Sequence, residues 1–257
     1  MCTAIVDVDP SSAVPVLLAG IRDEFHDRSW VGPGRHWPRE YPGVVGGQDL
    51  LASGTWLAAD PPAVRAATVL NGWGVLAPQS ARLSRGDLAL RFAAGGAEAV
   101  ADLPLARYDP FLLVCATVEE VFLLSWDGRR PARRVLGPGL HLVVNSGLEG
   151  ADSDEGPGVE QMAARIKYFR PQLAAAPRPE PVGGVSTRQA WGPWLPLVDG
   201  AGLDSSDERA LLVRRPLGER TWGTTSVSLV GLRRDGLRYD FNAEPGDPDG
   251  WTAVVDD

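Results

Sequence analysis

The chain has 257 residues, 44% of them hydrophobic, with 33 acidic against 25 basic side chains and a formal charge of −8. That length and apolar content can bury a full core, and with no polar linker or internal repeat they point to one domain spanning residues 1–257. The acidic balance, with arginines such as Arg65 and Arg82 dispersed and Lys167 the single lysine, leaves no basic stripe for nucleic acid. No run approaches the roughly 18 apolar residues of a membrane span, and the amino terminus lacks a charged region followed by an apolar core. The expectation is therefore a soluble, cytoplasmic protein.

The first elements form a hairpin. Residues 2–8 (CTAIVDV) read as a strand, Asp9-Pro10-Ser11-Ser12 as turn chemistry, and residues 13–20 (AVPVLLAG) as a second apolar strand. A turn centred between residues 10 and 11 puts Cys2 opposite about Ala19, with Arg22 and Asp23 just beyond the strand and beside residue 2. Residues 24–42 read as irregular. Strand composition then recurs over residues 54–59, 64–70, 111–116, 121–126, 134–136, 141–145 and 226–232. Residues 97–103 are a short helical candidate. Residues 147–158 are acidic and Gly-rich. Residues 159–173 are the clearest helix, with Met162, Ile166 and Phe169 on one face until Pro171 interferes. Runs of strands interrupted by helix favour an α+β fold over an alternating parallel sheet.

The chemistry begins at residue 2. Removing Met1 leaves a thiol and a free α-amine on Cys2, so the residue carries its own base, with an ordinary pKa of about 7.7–8.0. Cysteine suits the task because its thiol is partly ionised near neutrality. Arg22 can lower the thiol pKa, and Asp23 can orient the amine through a charge-assisted hydrogen bond. An amide-cleaving site also needs donors for an oxyanion. Asn71 and Asn145 each follow an apolar strand and are followed closely by glycine, so their amides can project into a cleft, although Asn-Gly and Asn-Ser-Gly are also turn sequences.

Other chemistries fail on spacing. His26, His36 and His141 form no paired zinc motif, G-x-S-x-G and G-x-x-x-x-G-K-[ST] are absent, and Gly32-Pro33-Gly34 lacks the third glycine of a dinucleotide fingerprint. No metal or organic cofactor is expected. The two cysteines are too few for a disulfide framework, and Cys115, inside FLLVCA, reads as a core residue. Trp56 and Trp73 are candidates to wall an apolar pocket.

Several short motifs occur in order along the chain. They are Met1-Cys2-Thr3; Ile21-Arg22-Asp23-Glu24-Phe25 with Arg28; Gly46-Gly47-Gln48-Asp49; Ser53-Gly54-Thr55-Trp56-Leu57; and Leu70-Asn71. Ser84-Arg85-Gly86-Asp87-Leu88, Tyr108-Asp109-Pro110-Phe111, Gly139-Leu140-His141 leading to Asn145-Ser146, and residues 221–229 follow. This series resembles the NRDE family, also called transport and Golgi organisation protein 2-like, a branch of the amino-terminal nucleophile hydrolases. The resemblance implies a four-layer αββα fold with two stacked antiparallel sheets and Cys2 starting a central strand. It also implies a cysteine hydrolase that cleaves a C–N amide bond of a small acyl-amide, with Cys2, Arg22, Asp23, Asn71 and Asn145 as the site. The chain departs from the family pattern at Ile21, where an asparagine is usual, and at Thr225, where Gly-Thr is usually followed by arginine. The alternative implied by relatives is a non-catalytic protein that binds or traffics haem or acyl lipids, its partner an apolar small molecule in place of an amide.

Overall fold

Two antiparallel sheets lie face to face in the computed structural model, which describes residues 2–150 and 158–256. In chain order the first strands are β1 (Thr3–Val8), β2 (Val16–Phe25), β3 (Trp30–Gly34), β4 (Val45–Asp49), β5 (Leu57–Asp60) and β6 (Arg65–Asn71). Helix α1 (Gly86–Gly95) precedes β7 (Phe111–Ala116), β8 (Val121–Trp126), β9 (Pro131–Val135), β10 (Gly139–Val144) and β11 (Gly147–Leu148). Three helices follow, α2 (Val159–Ala175), α3 (Thr187–Trp191) and α4 (Leu195–Val198). The last strands are β12 (Arg214–Leu217), β13 (Arg220–Arg233), β14 (Gly236–Asn242) and β15 (Trp251–Asp256). One sheet runs β11-β10-β1-β2-β13-β14-β15, with β12 on β13; the other runs β3 to β9 in sequence order.

Side-chain alternation along the strands builds the layers. Ala4, Val6 and Leu18 point inward against Leu57, Ala59 and Val114 of the second sheet. Their neighbours Ile5, Leu17, Ala19 and Ile21 point outward and meet Phe169 and Leu173 of α2 and Trp191 and Trp194 beyond it. On the far side, Ala67, Leu113 and Cys115 of the second sheet pack against Leu88, Phe92 and Ala93 of α1. The two-sheet α+β architecture expected from the sequence is present, and helices cover both outer faces. Because β1 and β2 are buried on both faces, they read as continuous apolar runs.

Several local expectations need correction. Thr3 faces Ile21 and Val8 faces Val16, a register displaced by three residues from the expected one. The connection is longer than a tight turn. The Asp9 carboxylate accepts hydrogen bonds from Ser11, and the Asp9 amide donates to Pro15 at 2.8 Å, so residues through Pro15 are spent before the strand begins. Strand β2 continues to Phe25, which puts Arg22 and Asp23 inside it. Residues 24–42 contain β3, and the strand expected at 54–59 starts at Leu57. The helix expected over 97–103 is a single 3-10 turn, Ala97–Val100, and the true helix is α1. Pro171 does not stop α2, because Phe169 and Leu173 bury on either side of it and outweigh one lost hydrogen bond. Met1 and residues 151–157 of the acidic segment lie outside the described residues. Among the described residues, no helix is long and apolar enough to cross a membrane.

Candidate active site

Strand β1 begins immediately after Cys2, with β10 on one side and β2 on the other. Thr3 is paired with Val144 and with Ile21, so one further step of the same register brings Cys2 level with Asn145 and Arg22. The Cys2 side chain packs with the inner core between the sheets. Its thiol donates to the backbone carbonyl of Asp23 at 3.6 Å. Burial pushes the Cys2 thiol above its ordinary value and the Asp23 charge adds to this, while the Arg22 guanidinium pulls the other way.

The three-residue register shift decides where the two charged neighbours point. An odd shift exchanges the faces of a strand. Arg22 therefore shares the inner face with Cys2, and Asp23 turns outward. Arg22 is 5% exposed. Its Nη1 donates to Thr225 Oγ1 at 2.8 Å, its Nη2 lies 3.3 Å from Asp49 Oδ2, and the guanidinium sits 4.5 Å from the centroid of the Trp56 ring. Burial works against the Asp49 charge. Arg28 and the backbone N–H groups of Ala52 and Leu51 more than offset it and hold the carboxyl below the usual range. Glycine makes this packing possible, because a Cβ on Gly47 would lie 2.3 Å from the Trp56 ring.

The Asp23 carboxylate faces α2. Its Oδ1 accepts from Thr224 Oγ1 at 2.6 Å, and its Oδ2 lies 3.8 Å from Arg165 Nη1. Arg165 is 1% exposed, donates to Thr3 Oγ1 at 2.7 Å and to the Ala210 carbonyl at 2.9 Å, and so ties the helix layer to the first residue of β1. Strand β13 has a bulge between Thr224 and Ser226 where it pairs with β2. Consecutive threonines there reach opposite faces, Thr224 to Asp23 and Thr225 to Arg22. The position where the family pattern has arginine is thus filled by the hydroxyl that accepts from Arg22.

Asn71 ends β6 and lines a cavity of about 400 Å³ together with Cys2, Arg22 and Trp56. Asn145, directly after β10, donates from Nδ2 to the Asn71 carbonyl at 2.7 Å, and its Oδ1 is buried with no hydrogen-bond partner among the described residues. Beyond this pair lies a second cavity of about 810 Å³, walled by Trp73, Phe111, Leu123 and Trp126, with Asn145 on its lining. The structure therefore brings Cys2, Arg22 and Asn71 to one cavity, with Asp23 meeting Cys2 through its backbone. Asn145 stands at the partition between the two cavities, with one amide hydrogen engaged. Cys115 is buried in the outer core, away from this cluster, and burial raises its pKa well above the ordinary thiol value.

Sequence reading named Arg28 and Asp49 in motifs without giving them roles, offered Trp56 as a pocket wall, which it is, and missed Arg165. A signal for Arg165 exists. It shares the buried stripe of α2 with Met162, Phe169 and Leu173, where an arginine requires partners. The motif glycines have a packing role as well. The Thr55 amide donates to the Gly86 carbonyl at 3.0 Å, and a Cβ on Gly54 would lie 2.6 Å from the Gly86 backbone. Among the described residues, no three His, Cys, Asp or Glu side chains cluster closely enough to hold a metal ion.

Comparison with known proteins adds one match. The family model described as Transport and Golgi organisation 2 matches residues 1–174, from the candidate nucleophile through most of α2. No curated protein matches the chain.

Proposed function

The chain belongs to the Transport and Golgi organisation 2 family, and from that premise we propose that it is a cysteine amino-terminal nucleophile hydrolase acting on a small acyl-amide in the cytoplasm. The observation that carries this reading is the Cys2 sulfur on a cavity wall with Arg22, beside the asparagine pair. Removal of Met1 exposes the α-amine of Cys2, which takes the thiol proton directly or through one water. The thiolate attacks the amide carbon and the tetrahedral oxyanion forms near the Asn71 and Asn145 end of the cavity, where an amide N–H stabilises it. The C–N bond then breaks, the amine leaves with the proton held by the α-amine, and water hydrolyses the thioester to regenerate Cys2. Arg22 favours the thiolate. Asp23, held by Thr224 and Arg165, fixes the strand backbone whose carbonyl meets the sulfur and orients the new amine. No metal or organic cofactor takes part.

Intact-mass spectrometry should find the native chain beginning at Cys2, and metabolite profiling should show an acyl-amide consumed by wild type and spared by Cys2→Ala. Retention of Met1 in most of the protein, or identical profiles, would sink the hydrolase reading. The second cavity supports a rival reading, a carrier of haem or an acyl lipid in its aromatic wall. A carrier keeps its ligand when Cys2 is alkylated, whereas the enzyme loses turnover.

A further inference from the structure

We propose that Arg85 receives a carboxylate of the substrate, so that the amide attacked by Cys2 belongs to an anionic compound. The inference rests on Cys2 as the reacting thiol and names the class of molecule it meets. Four arginines line the Cys2 cavity: Arg22, Arg28, Arg82 and Arg85. Three have carboxylate partners. Arg22 lies 3.3 Å from Asp49, Arg28 bonds Asp49 and lies 3.7 Å from Glu24, and Arg82 lies 3.1 Å from Asp109. The remaining acid, Asp23, faces Arg165 behind the sheet at 3.8 Å. Among the described residues Arg85 forms no ion pair, and its guanidinium makes one hydrogen bond, from Nη1 to the Pro110 carbonyl at 3.0 Å.

The acid whose charge acts most on Arg85, Asp109, is engaged by other groups. Asp109 Oδ1 already accepts from the Ala77 amide and meets Arg82, each at 3.1 Å. Burial lowers the Arg85 pKa, with Asp109 and a charged Cys2 acting in the opposite direction, so the guanidinium is within electrostatic reach of the sulfur. Its backbone is fixed. Arg85 directly precedes α1, the Gly86 amide donates to Ser84 Oγ at 3.2 Å, and the Gly86 carbonyl is held by Thr55. A half-buried cation that forms no ion pair among the described residues, on the lining of a cavity and on a fixed backbone, is a preorganised receptor, and its planar fork matches a carboxylate in two hydrogen bonds. One surplus positive charge balances one carboxylate and falls short of a dianionic phosphate.

The test compares two alkylating agents of nearly equal shape, iodoacetate and iodoacetamide, on the purified full chain, with the Cys2 rate constant read by mass spectrometry. The ratio of the iodoacetate rate to the iodoacetamide rate should fall about tenfold in Arg85→Gln and stay near wild type in Arg85→Lys, a difference of about 1.4 kcal/mol. An unchanged ratio in Arg85→Gln overturns the proposal. So does an equal fall in both rates, which would make Arg85 a tuner of the thiol alone. If neither reagent labels Cys2 in wild type, the nucleophile itself fails, an outcome distinct from both. Should Arg85→Gln not fold, protection decides on wild type at constant ionic strength. N-acetylglycine should slow iodoacetamide labelling and N-acetylglycinamide should not, and equal effects of the two, or none, overturn the proposal.

Discussion

Arg22 illustrates how one buried charge is held in place by three other side chains. Its charge is buried, so Asp49, Thr225 and the Trp56 face together replace its hydration. Thr225→Val should leave a buried N–H without an acceptor and cost about 1–3 kcal/mol, read as a lower urea midpoint at unchanged slope. Arg22→Ala should slow iodoacetamide labelling of Cys2 about fivefold, the effect of losing about 1 kcal/mol of charge interaction with the thiolate. Cys115, buried and held neutral, should stay unlabelled until the protein unfolds. Labelling of Cys115 before Cys2 would contradict the site. At this scale the sequence singled out Cys2, Arg22 and Asp23 as candidates, and the structure brings them together, because their chemistry and spacing are local. It did not disclose which face each would take, because that depends on a loop whose length is set by hydrogen bonds of Asp9 and by Pro15. The asparagines were legible as strand ends, but the bond between Asn145 and the Asn71 backbone joins segments far apart in the chain.

Among the elements, those with continuous apolar runs were found with little error: β7 and β8 match the expected residues 111–116 and 121–126. Strand β14 was not found, and its residues explain why. Arg238 and Asp240 look like surface residues in the sequence, yet both are fully buried and answer each other in a two-pronged pair. Asp240 also accepts from Thr187 Oγ1 at 2.6 Å and from the Trp191 indole at 2.7 Å, which fastens α3 to the sheet. Removing one partner leaves the other charge buried. Asp240→Ala should therefore destabilise the fold by about 3–5 kcal/mol in a denaturant melt, and a loss below about 1 kcal/mol would refute this account of β14. Helix α1 escaped detection for a different reason. Gly86, Gly95 and Gly96 weaken its helical signal, although Gly86 is required for the close approach to Thr55.

Across the whole molecule, the sheet that carries Cys2 is assembled from both ends of the chain, with β13 directly beside β2. The family match ends at residue 174, before β12 to β15. We read residues 1–257 as one folding unit on this ground. A fragment of residues 1–174 should expose the long edge of β2 and precipitate, and a soluble fragment with cooperative unfolding would refute that reading. The α+β class was visible in the sequence from runs of strands interrupted by helix. The pairing of β2 with β13 was not, since pairing over such a separation leaves no local trace. The polar links between the sheets have a mechanical consequence. Apolar burial resists separation of the layers but does not fix the direction of any polar group between them. Arg22 with Asp49 and Asn145 with Asn71 cross that interface with directional bonds at the end where Cys2 lies. Directional bonds of that kind hold a guanidinium and an amide at set distances across the seam, so the wall around the sulfur is fixed by more than the fit of apolar side chains.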